Sequence, residues 1–394
     1  MRVLVVNPSL FAPAYDYHFC RALTALGVHV TMVGRPLRSY EQQLAGEPFD
    51  FAELFYRSTG KREAGGQTSR LGRLRKGVEH ALGLRALEAL AAEQDADIVH
   101  FQWLVLPFLD RIALDRLRRR SGLVLTVHNA ELTTHSTSAV IGRLGALLQS
   151  LGRRRAVLGF DRYVTHTTNT ADQLRALGIA AERILLLPHP PLDLEGPASS
   201  SAPTVDNGRR EILFFGAIKP YKGIEVLVDA GIALAAARRD FRITIAGRPF
   251  QPMDRLRARI AAAGANDAFR FDLDYLPDNR LAAYLAEASI IVFPYRKIDG
   301  SGALSHAIRF GKPIVASRVG GFAEAPIKDH LELVPAENPV ALAATLASLL
   351  DAPDRLAALA RRCAALEHEL PSWRAFAEAS RALYAAIPDA PRHR

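Results

Sequence analysis

Short apolar runs recur along the chain, and each is followed by a polar turn and then by a longer stretch with helical spacing. Runs that are apolar throughout are typical of strands buried on both faces of a parallel sheet. Their alternation with helices predicts an α/β fold. The predicted strands are Arg2–Val6, Val28–Val33, Asp97–Phe101, Leu123–His128, Arg162–Thr165, Ile184–Leu187, Glu211–Phe215, Phe241–Ala246, Ala268–Asp272, Ile290–Phe293, Ile314–Ala316 and Leu331–Val334.

The stretch 195–209, EGPASSSAPTVDNGR, is rich in small residues and proline, which predicts a linker between two domains. A chain of 394 residues suits that division. We therefore expect an N-terminal domain over 1–194, a C-terminal domain over 210–370, and an amphipathic terminal helix within 371–394.

Two parts of the N-terminal domain are predicted to be irregular. Residues 36–80 are polar and predict loops with one or two basic helices. A loop that holds Tyr15, Asp16, Tyr17 and His18 is expected ahead of the first helix, which runs to about Leu26.

Composition narrows the class of protein. With 49% hydrophobic and 23% charged residues, the chain is typical of a globular protein. Cys20 and Cys363 are far apart in sequence and predict neither a disulfide framework nor a metal site. No apolar run is long enough to span a bilayer and no leader is predicted, so a reducing, cytoplasmic compartment is expected.

The net charge is +9, and residues 1–190 hold 24 Lys and Arg against 17 Asp and Glu. Arginine clusters at 70–76, 116–120 and 153–155 alternate with leucines, a pattern typical of helices on an anionic membrane surface. Solvated arginine faces are the alternative. Nucleic acid is not expected, because aromatic residues do not interleave with the arginines. Neither G-x-G-x-x-G nor G-x-x-x-x-G-K-[ST] occurs, which argues against a nicotinamide dehydrogenase and a P-loop kinase.

The segment Ile290–Ser317, IIVFPYRKIDGSGALSHAIRFGKPIVAS, predicts a strand, a loop, a short helix and a second strand. Pro294 ends the first strand, and Ser301 is a good N-cap for a helix from Gly302 to Phe310. Backbone N–H groups at a helix start just past a strand's carboxyl end are used for phosphate binding in open α/β sheets. The segment therefore predicts a phosphate site.

The run PY…SGAL…AIRFGKPIVAS resembles the donor-site segment of the family 4 GT-B glycosyltransferases. The segments ADIVHFQW, LTVHNAE, YVTHTTNTADQLRALGI and ERILLLPHP resemble successive parts of the N-terminal domain of the same family. The resemblance implies two doubly wound Rossmann-like domains facing across a cleft, with the terminal helix crossing back to the N-terminal domain. One departure concerns the family's two glutamates eight residues apart: the second position is His306, and the first is Ile298, beside Asp299.

The resemblance also implies donor-site residues. Lys222 matches the lysine of the family's G-R-x-x-x-x-K-G pattern, while Ala217 occupies its arginine position, so Lys219 and Arg248 are expected to substitute. Backbone N–H groups from Ser301 onward would hold the β-phosphate, and His306 would contact the ribose. The expected donor-binding residues are Gly216, Lys219, Lys222, Arg248, Tyr275, Tyr295, Asp299, Ser301, Gly302, Ala303, Leu304 and His306.

On the acceptor side, His128 matches the family position that faces the donor sugar. His128, Lys222 and Asp16 are the expected catalytic residues, and His18, Asn129 and Glu131 are expected on the acceptor side. Family resemblance implies retention of anomeric configuration. The missing glutamates leave inversion open, and the general base would then be Asp16, His18, His128 or Glu131.

The predicted activity is transfer of a hexosyl sugar from a UDP- or GDP-linked donor to a glycan or lipid-linked saccharide, in polysaccharide or glycoconjugate synthesis. No metal or other cofactor is expected, and Asp272-Leu273-Asp274 is interpreted as lying near the nucleotide base rather than as a metal site. His100, His166 and His189 are expected to be structural. A sugar-nucleotide epimerase and a non-catalytic protein with a decayed donor site remain the alternatives.

Overall fold

The computed structural model describes residues 1–38, 41, 46–59, 70–128, 152, 154–194 and 208–388. The chain divides into unit 1, Met1–Pro188 with Pro371–Arg394, and unit 2, His189–Leu370. The predicted linker lies mostly outside the described residues. Each unit is built on one parallel sheet, which confirms the predicted α/β fold with two Rossmann-like domains.

The sheet of unit 1 has seven parallel strands in the order β3-β2-β1-β4-β5-β6-β7. The elements are β1 Arg2–Val6, α1 Pro13–Ala25, β2 His29–Gly34, β3 Asp50–Glu53, α2 Arg70–Glu93, β4 Ile98–Phe101, α3 Pro107–Leu117, β5 Gly122–Val127, β6 Arg162–Thr165, α4 Thr168–Ala176, β7 Ile184–Leu186 and, from the C-terminus of the chain, α12 Trp373–Ala385.

The alternation of side chains along β1 divides the core of unit 1 between the two faces of its sheet. Val3 and Val5 belong to one apolar cluster, together with side chains of α1 and α12. Leu4 and Val6 belong to the other, together with side chains of α2 and α3. Both faces of the sheet are therefore covered, which explains why its strands are apolar throughout.

Helix α12 packs on unit 1, as predicted for the terminal helix. Ser372 caps it, with the Oγ atom accepting a hydrogen bond from the Ala375 N–H. The Tyr384 hydroxyl and His100 Nδ1 lie 2.6 Å apart, and the Phe376 ring lies 5.3 Å from that of Phe19. The final helix is thus part of the N-terminal core.

Two predictions about unit 1 were wrong. Helix α1 begins at Pro13, whose fixed φ suits the first helical position, so Asp16 and His18 lie in a helix and not in a loop. Residues 50–53, DFAE, form the edge strand β3 within a stretch predicted to be irregular. Its pairing with β2 comes from the sheet, because so short a half-polar segment carries little strand signal of its own.

The sheet of unit 2 has six parallel strands in the order β10-β9-β8-β11-β12-β13. The elements are β8 Arg210–Phe215, α5 Ile224–Ala237, β9 Phe241–Ala246, α6 Asp254–Ala262, β10 Phe269–Asp272, α7 Asp278–Glu287, β11 Ile290–Phe293, α8 Gly302–Ile308, β12 Ile314–Ser317, α9 Ile327–His330, β13 Glu332–Val334, α10 Pro339–Asp351 and α11 Pro353–Glu369, with short 3-10 turns that include Pro220–Lys222 and Gly320–Ala323.

The central strands of unit 2 end together at one edge, because parallel strands share a direction. Strands β8, β9 and β11 are almost wholly buried, and the turns that follow them lie at their carboxyl ends. That edge carries most of the predicted donor-binding residues. Across the described residues of both units, none of the helices is long and apolar enough to cross a bilayer.

Candidate active site

Lys222 lies at the end of the 3-10 turn that follows β8, directly before the cap of α5. Gly223 adopts a left-handed φ of 63° there, and a Cβ at this position would lie 2.1 Å from the carbonyl oxygen of Pro294. Only glycine fits at this position, where the chain passes close to the end of β11. Lys222 is 7% exposed, and burial lowers its pKa.

The Lys222 ammonium has an aromatic neighbour. Its Nζ lies 5.2 Å from the centre of the Tyr295 ring, a favourable cation–π geometry. A Cβ added to Gly216 would lie 3.1 Å from the same Nζ, so the ammonium reaches the backbone at the end of β8. Within the described part of the chain, no carboxylate forms an ion pair with it. Gly216, Lys222 and Tyr295, which were all predicted to bind the donor, therefore lie near one another.

Lys219 and Arg248 lie on two turns that are hydrogen-bonded to each other. The Ile218 N–H donates to the carbonyl of Arg248 at 2.9 Å, and the Phe250 N–H donates to the carbonyl of Ile218 at 2.8 Å. Both cations lie over the Phe250 ring, at 5.6 Å for Lys219 and 6.0 Å for Arg248. Burial, and then the charge of Lys222, lower the pKa of Lys219. Three cations therefore share this edge of the sheet.

Gly247 makes the junction of these turns possible. Its φ is 137°, and a Cβ there would lie 2.2 Å from the carbonyl oxygen of Gly216. Gly320 has the same role for the loop that carries Asp299, because a Cβ there would overlap the carbonyl oxygen of Ile298. Sequence reasoning missed both glycines, although the turn after each strand was a signal that could have indicated them.

The start of α8 is capped as predicted, but the cap changes which amides are available. Ser301 Oγ accepts a hydrogen bond from the Leu304 N–H at 3.2 Å. The Leu304 amide therefore belongs to the cap, which counts against its expected phosphate contact. Gly302 is exposed, with open space around its Cα, and Ala303 is half-buried. The amides of these two residues are the ones that a ligand could reach.

The remaining predicted donor-binding residues lie around this edge. His306 is a half-buried residue of α8, and Asp299 is half-buried in the loop before it. Tyr275 lies in the turn after β10 and is 46% exposed. Asp272 is held by the Tyr284 hydroxyl and the Arg280 guanidinium, each at 2.6 Å. Within the described residues there is no group of three His, Cys, Asp or Glu side chains that could hold a metal.

Asp16, in the first turns of α1, is fully buried in unit 1. Its Oδ2 accepts a hydrogen bond from Asn7 Nδ2 at 2.6 Å, and Asn7 directly follows β1. Burial raises the Asp16 pKa from 3.8 to about 8, and the hydrogen bond from Asn7 only partly opposes this. At neutral pH the Asp16 side chain is therefore mainly the uncharged acid.

His128 follows β5 and lies in a cluster of rings. It is stacked on Trp103 with ring centres 4.7 Å apart, and it meets the edge of Tyr15 at 4.9 Å. His18 stacks instead on Trp373 of α12 at 5.4 Å. Tyr15, the residue before Asp16, meets both His128 and Trp373, the ring on which His18 stacks. Asn129 and Glu131 lie outside the described residues.

His100 and His166 are both buried, and burial lowers their pKa values to about 3 and about 4. His100 bonds Tyr384 and Thr126, and His166 lies 3.0 Å from the carbonyl oxygen of Leu187. In unit 2, His189 Nδ1 lies 3.0 Å from Ser305 Oγ. All three histidines thus have hydrogen-bonding partners within the protein.

Two family models together cover most of the chain. The model described as "Glycosyl transferases group 1" matches residues 209–352, and the one described as "Glycosyl transferase 4-like domain" matches residues 13–190. The chain is 29% identical over 310 residues to D-inositol 3-phosphate glycosyltransferase 1 of Catenulispora acidiphila, a match covering 74% of this chain and 72% of the relative. It is 26% identical over 224 residues to the GDP-mannose:glycolipid 4-beta-D-mannosyltransferase of Xanthomonas campestris, covering 56% of this chain and 61% of that protein.

Solved structures share the fold over almost the whole chain. Sucrose-phosphate synthase from Thermosynechococcus elongatus is similar with a TM-score of 0.74 at 18% identity, over 98% of this chain and 100% of that one. HepE from Anabaena in complex with UDP-glucose is similar with a TM-score of 0.69 at 14% identity, over the same shares. The two family models and this shared fold confirm the resemblance inferred from the sequence. The chain belongs to the group 1, family 4-like glycosyltransferases of GT-B fold.

Proposed function

We propose that this glycosyltransferase moves a hexosyl residue from a UDP- or GDP-linked sugar to a glycan or lipid-linked saccharide, without a metal ion and with retention of configuration. The similarity to a GDP-mannose-dependent relative and to a structure holding UDP-glucose supports a nucleoside diphosphate sugar as donor. The observation that carries the proposal is the buried Lys222 ammonium, which no carboxylate in the described residues neutralises.

A buried cation without a counter-ion is costly, and an anionic ligand lowers that cost. Lys219 and Arg248 add positive charge at the same edge, and the Ser301 side chain caps the Leu304 amide rather than those of Gly302 and Ala303. A diphosphate carries negative charge that suits this set. An aspartate–metal arrangement is not needed for charge balance, and Asp272 is already held by Arg280.

In the proposed reaction the anomeric C–O bond of the donor breaks, and its electron pair stays with the β-phosphate. Lys222 stabilises the negative charge that develops on the leaving diphosphate, with Lys219 and Arg248 assisting. The acceptor hydroxyl forms the new bond to the anomeric carbon and passes its proton to an oxygen of the departing diphosphate. Retention requires no nucleophilic side chain, so a set of cations and amides is sufficient protein machinery.

Thermal-shift measurements with UDP-, GDP-, ADP- and dTDP-sugars test this function, because a ligand that binds the folded state raises the midpoint. We expect UDP- or GDP-sugars to raise the midpoint of the wild type and not that of Lys222→Met, which keeps the side-chain volume. Lys328→Ala, an exposed lysine of the same unit, is the matched control and should respond like the wild type. A wild type that responds to none of these donors would overturn the proposal.

Stereochemistry and metal dependence are tested separately. Product anomers identified by NMR should keep the configuration of the donor, and turnover should survive EDTA.

The second candidate is an inverting reaction with Asp16 as general base. Because the pKa of this buried carboxyl is about 8, the side chain becomes a carboxylate that can accept a proton as the pH rises through that value. Inverted product together with a rate that rises through pH 8 would favour it. Interconversion of donor sugars without an acceptor would indicate an epimerase.

We also propose that unit 1 contacts an anionic membrane through α2 and α3. Leu74, Val78 and Leu82 form an exposed row along α2, four residues apart, although the opposite side of that helix is buried. Phe108 and Ile112 are exposed at the same spacing on α3, which contacts α2. Exposed arginines accompany the rows, and such a combination suits acidic lipid headgroups.

Vesicle flotation tests the membrane proposal. Binding to phosphatidylglycerol-containing vesicles should exceed binding to phosphatidylcholine vesicles and weaken as salt rises. The triple variant Leu74→Ser, Val78→Ser and Leu82→Ser should lose binding, whereas Val340→Ser, an exposed valine of unit 2, should not. Equal binding by the triple variant and the wild type would contradict this face.

A further inference from the structure

Gln102 directly follows β4 and is fully buried, yet its side-chain amide makes no hydrogen bond to any described residue. The backbone N–H of Gln102 donates to the carbonyl of Val6 at 2.8 Å, which fixes the residue beside the end of β1. Both Nε2 and Oε1 lack a hydrogen-bond partner among the described residues. A buried carboxamide with neither its donor nor its acceptor satisfied is rare, because each lost hydrogen bond to water costs free energy.

The side chains of Gln102 and Asn7 lie on the same face of the sheet. Residues alternate faces along a strand, so Gln102 shares the face of His100, whose ring contacts Phe19 of α1. Asn7 likewise follows Val5 on the face that α1 covers. The register pairs Val6 with Phe101, which places Asn7 and Gln102 at neighbouring positions just past the ends of β1 and β4.

Asp16 adds a third unsatisfied polar atom to this face, after the two of Gln102. Asn7 occupies its Oδ2, while Oδ1 is buried without a hydrogen-bond partner in the described part of the chain. When the acid is protonated, the hydrogen bond from Asn7 to Oδ2 leaves the proton for Oδ1. The face therefore offers a hydroxyl donor from Asp16 and both a donor and an acceptor from Gln102.

Trp103 forms an aromatic wall beside these polar groups. Its ring is half-buried, stacks on His128 at 4.7 Å and meets Phe11 edge-on at 5.4 Å. Phe11 is 50% exposed, so the wall reaches the surface of the unit. The Trp103 Nε1–H is buried and has no acceptor among the residues described.

We propose that Gln102, Trp103 and Asp16 form a subsite for one ring of a neutral saccharide acceptor. The apolar C–H face of the sugar packs on Trp103 and Phe11, and its hydroxyls, which both donate and accept, satisfy the Gln102 amide, the indole N–H and Asp16. The subsite rests on the proposed function, because it supplies the acceptor for that transfer.

The absence of positive charge on these groups determines which kind of acceptor they bind best. A carboxamide, an indole and an uncharged carboxylic acid carry no positive charge, whereas phosphate groups are bound by cations and helix N-termini. A neutral sugar should therefore bind this subsite better than its phosphorylated counterpart.

The chain has two tryptophans, so Trp373→Phe leaves Trp103 as the sole indole reporter. In that background, the fluorescence of Trp103 is followed as each sugar is added, with UDP or GDP present throughout. The neutral sugars are glucose, methyl α-D-mannopyranoside and N-acetylglucosamine, and glucose 6-phosphate is the charged comparison. We expect a saturable change with at least one neutral sugar and a weaker response to glucose 6-phosphate. Adding Gln102→Leu should weaken the response at least tenfold, whereas adding Lys328→Ala, a change at an exposed lysine of unit 2, should leave it in place.

The melting temperature separates a ligand site from a buried water. Leucine has a similar volume and no polar atoms, so Gln102→Leu should melt at or above the wild-type temperature if the amide is unsatisfied without ligand. A lower melting temperature with an unchanged sugar response would mean a structural water only, and would overturn the subsite. No saturable response to any neutral sugar, or preferred binding of glucose 6-phosphate, would also overturn it. The donor-induced thermal shift of the wild type reports on the proposed function independently, so the two can fail separately.

Discussion

The two units share one topology but differ in the chemistry at the carboxyl ends of their strands. In unit 2 this edge carries Lys219, Lys222 and Arg248, and burial lowers the pKa of both lysines. In unit 1 it carries buried groups that are uncharged at neutral pH: Asp16 with a raised pKa and His166 with a lowered one. Burial acts on both edges, but Arg35, which follows β2 in unit 1, is paired with Glu41, whereas the three cations of unit 2 form no ion pair with any described residue.

This difference matches the two halves of the proposed reaction. A leaving diphosphate needs positive charge that is already in position, whereas an acceptor saccharide needs neutral hydrogen-bonding groups and an apolar wall. The same fold therefore provides two kinds of site because the residues after equivalent strands differ. Changing one edge should leave the other intact, and the following experiments use that expectation.

The largest effect is expected from Lys222→Met. Removal of the buried ammonium should lower kcat/KM by about 100- to 1,000-fold, the range for loss of one group that stabilises charge in a transition state. Steady-state kinetics with the donor identified by thermal shift measures it, with Lys328→Ala as the control. A decrease in kcat/KM of less than threefold would show that Lys222 does not stabilise the transition state.

Gly247→Ala should destabilise unit 2. A methyl group there meets the carbonyl of Gly216 at a φ that alanine rarely adopts, so we expect a loss of roughly 3 kcal/mol in the free energy of unfolding. Gly302→Ala is the matched control, since its Cβ meets open space at an ordinary φ. Denaturant unfolding compares them, and equal midpoints would contradict the close approach at Gly247.

Asp16→Asn should stabilise the protein in a pH-dependent way. The pKa of Asp16 is about 8 in the folded state and near 3.8 in the unfolded state, so its favourable contribution is complete below pH 3.8 and is lost as pH rises towards 8. Asparagine does not titrate, so the variant does not lose stability in this way. The difference in free energy of unfolding between the variant and the wild type should therefore grow by up to about 1.4 kcal/mol per pH unit between pH 4 and 8. Urea midpoints at several pH values measure it, and a constant difference would show that Asp16 titrates normally.

The smallest effect is expected at His306, which replaces a family glutamate on α8. His306→Ala should raise the donor KM by roughly fivefold, as loss of one hydrogen bond of about 1 kcal/mol implies, and should leave kcat nearly unchanged. Initial rates at varied donor concentration test it. An unchanged donor KM would assign His306 to packing alone.

The sequence was sufficient to predict what depends on pattern. Apolar runs gave the strands of both sheets except β3, and the motif around Ser301 lies at the edge of unit 2 where the predicted donor-binding residues gather. The cap that occupies the Leu304 amide could not be predicted, because a capping serine and a phosphate-binding serine have the same local sequence. The helical position of Asp16 was missed because Pro13 was not interpreted as a first helical residue.

Burial was the property that the sequence did not reveal. Lys222 in a glycine-flanked turn has the pattern of an exposed lysine, whereas in the structure it is buried. Gln102 also has no distinguishing motif. Its significance comes from the absence of any hydrogen-bond partner at full burial among the described residues, which is a property of the tertiary structure.

The central claim is that the buried ammonium of Lys222 binds the diphosphate of a donor. Isothermal titration of the wild type and Lys222→Met with UDP and GDP tests it without any acceptor. The account expects one nucleotide to bind the wild type with 1:1 stoichiometry and to bind Lys222→Met at least 100-fold more weakly. Equal affinity for the two proteins, or no binding to the wild type, would contradict it.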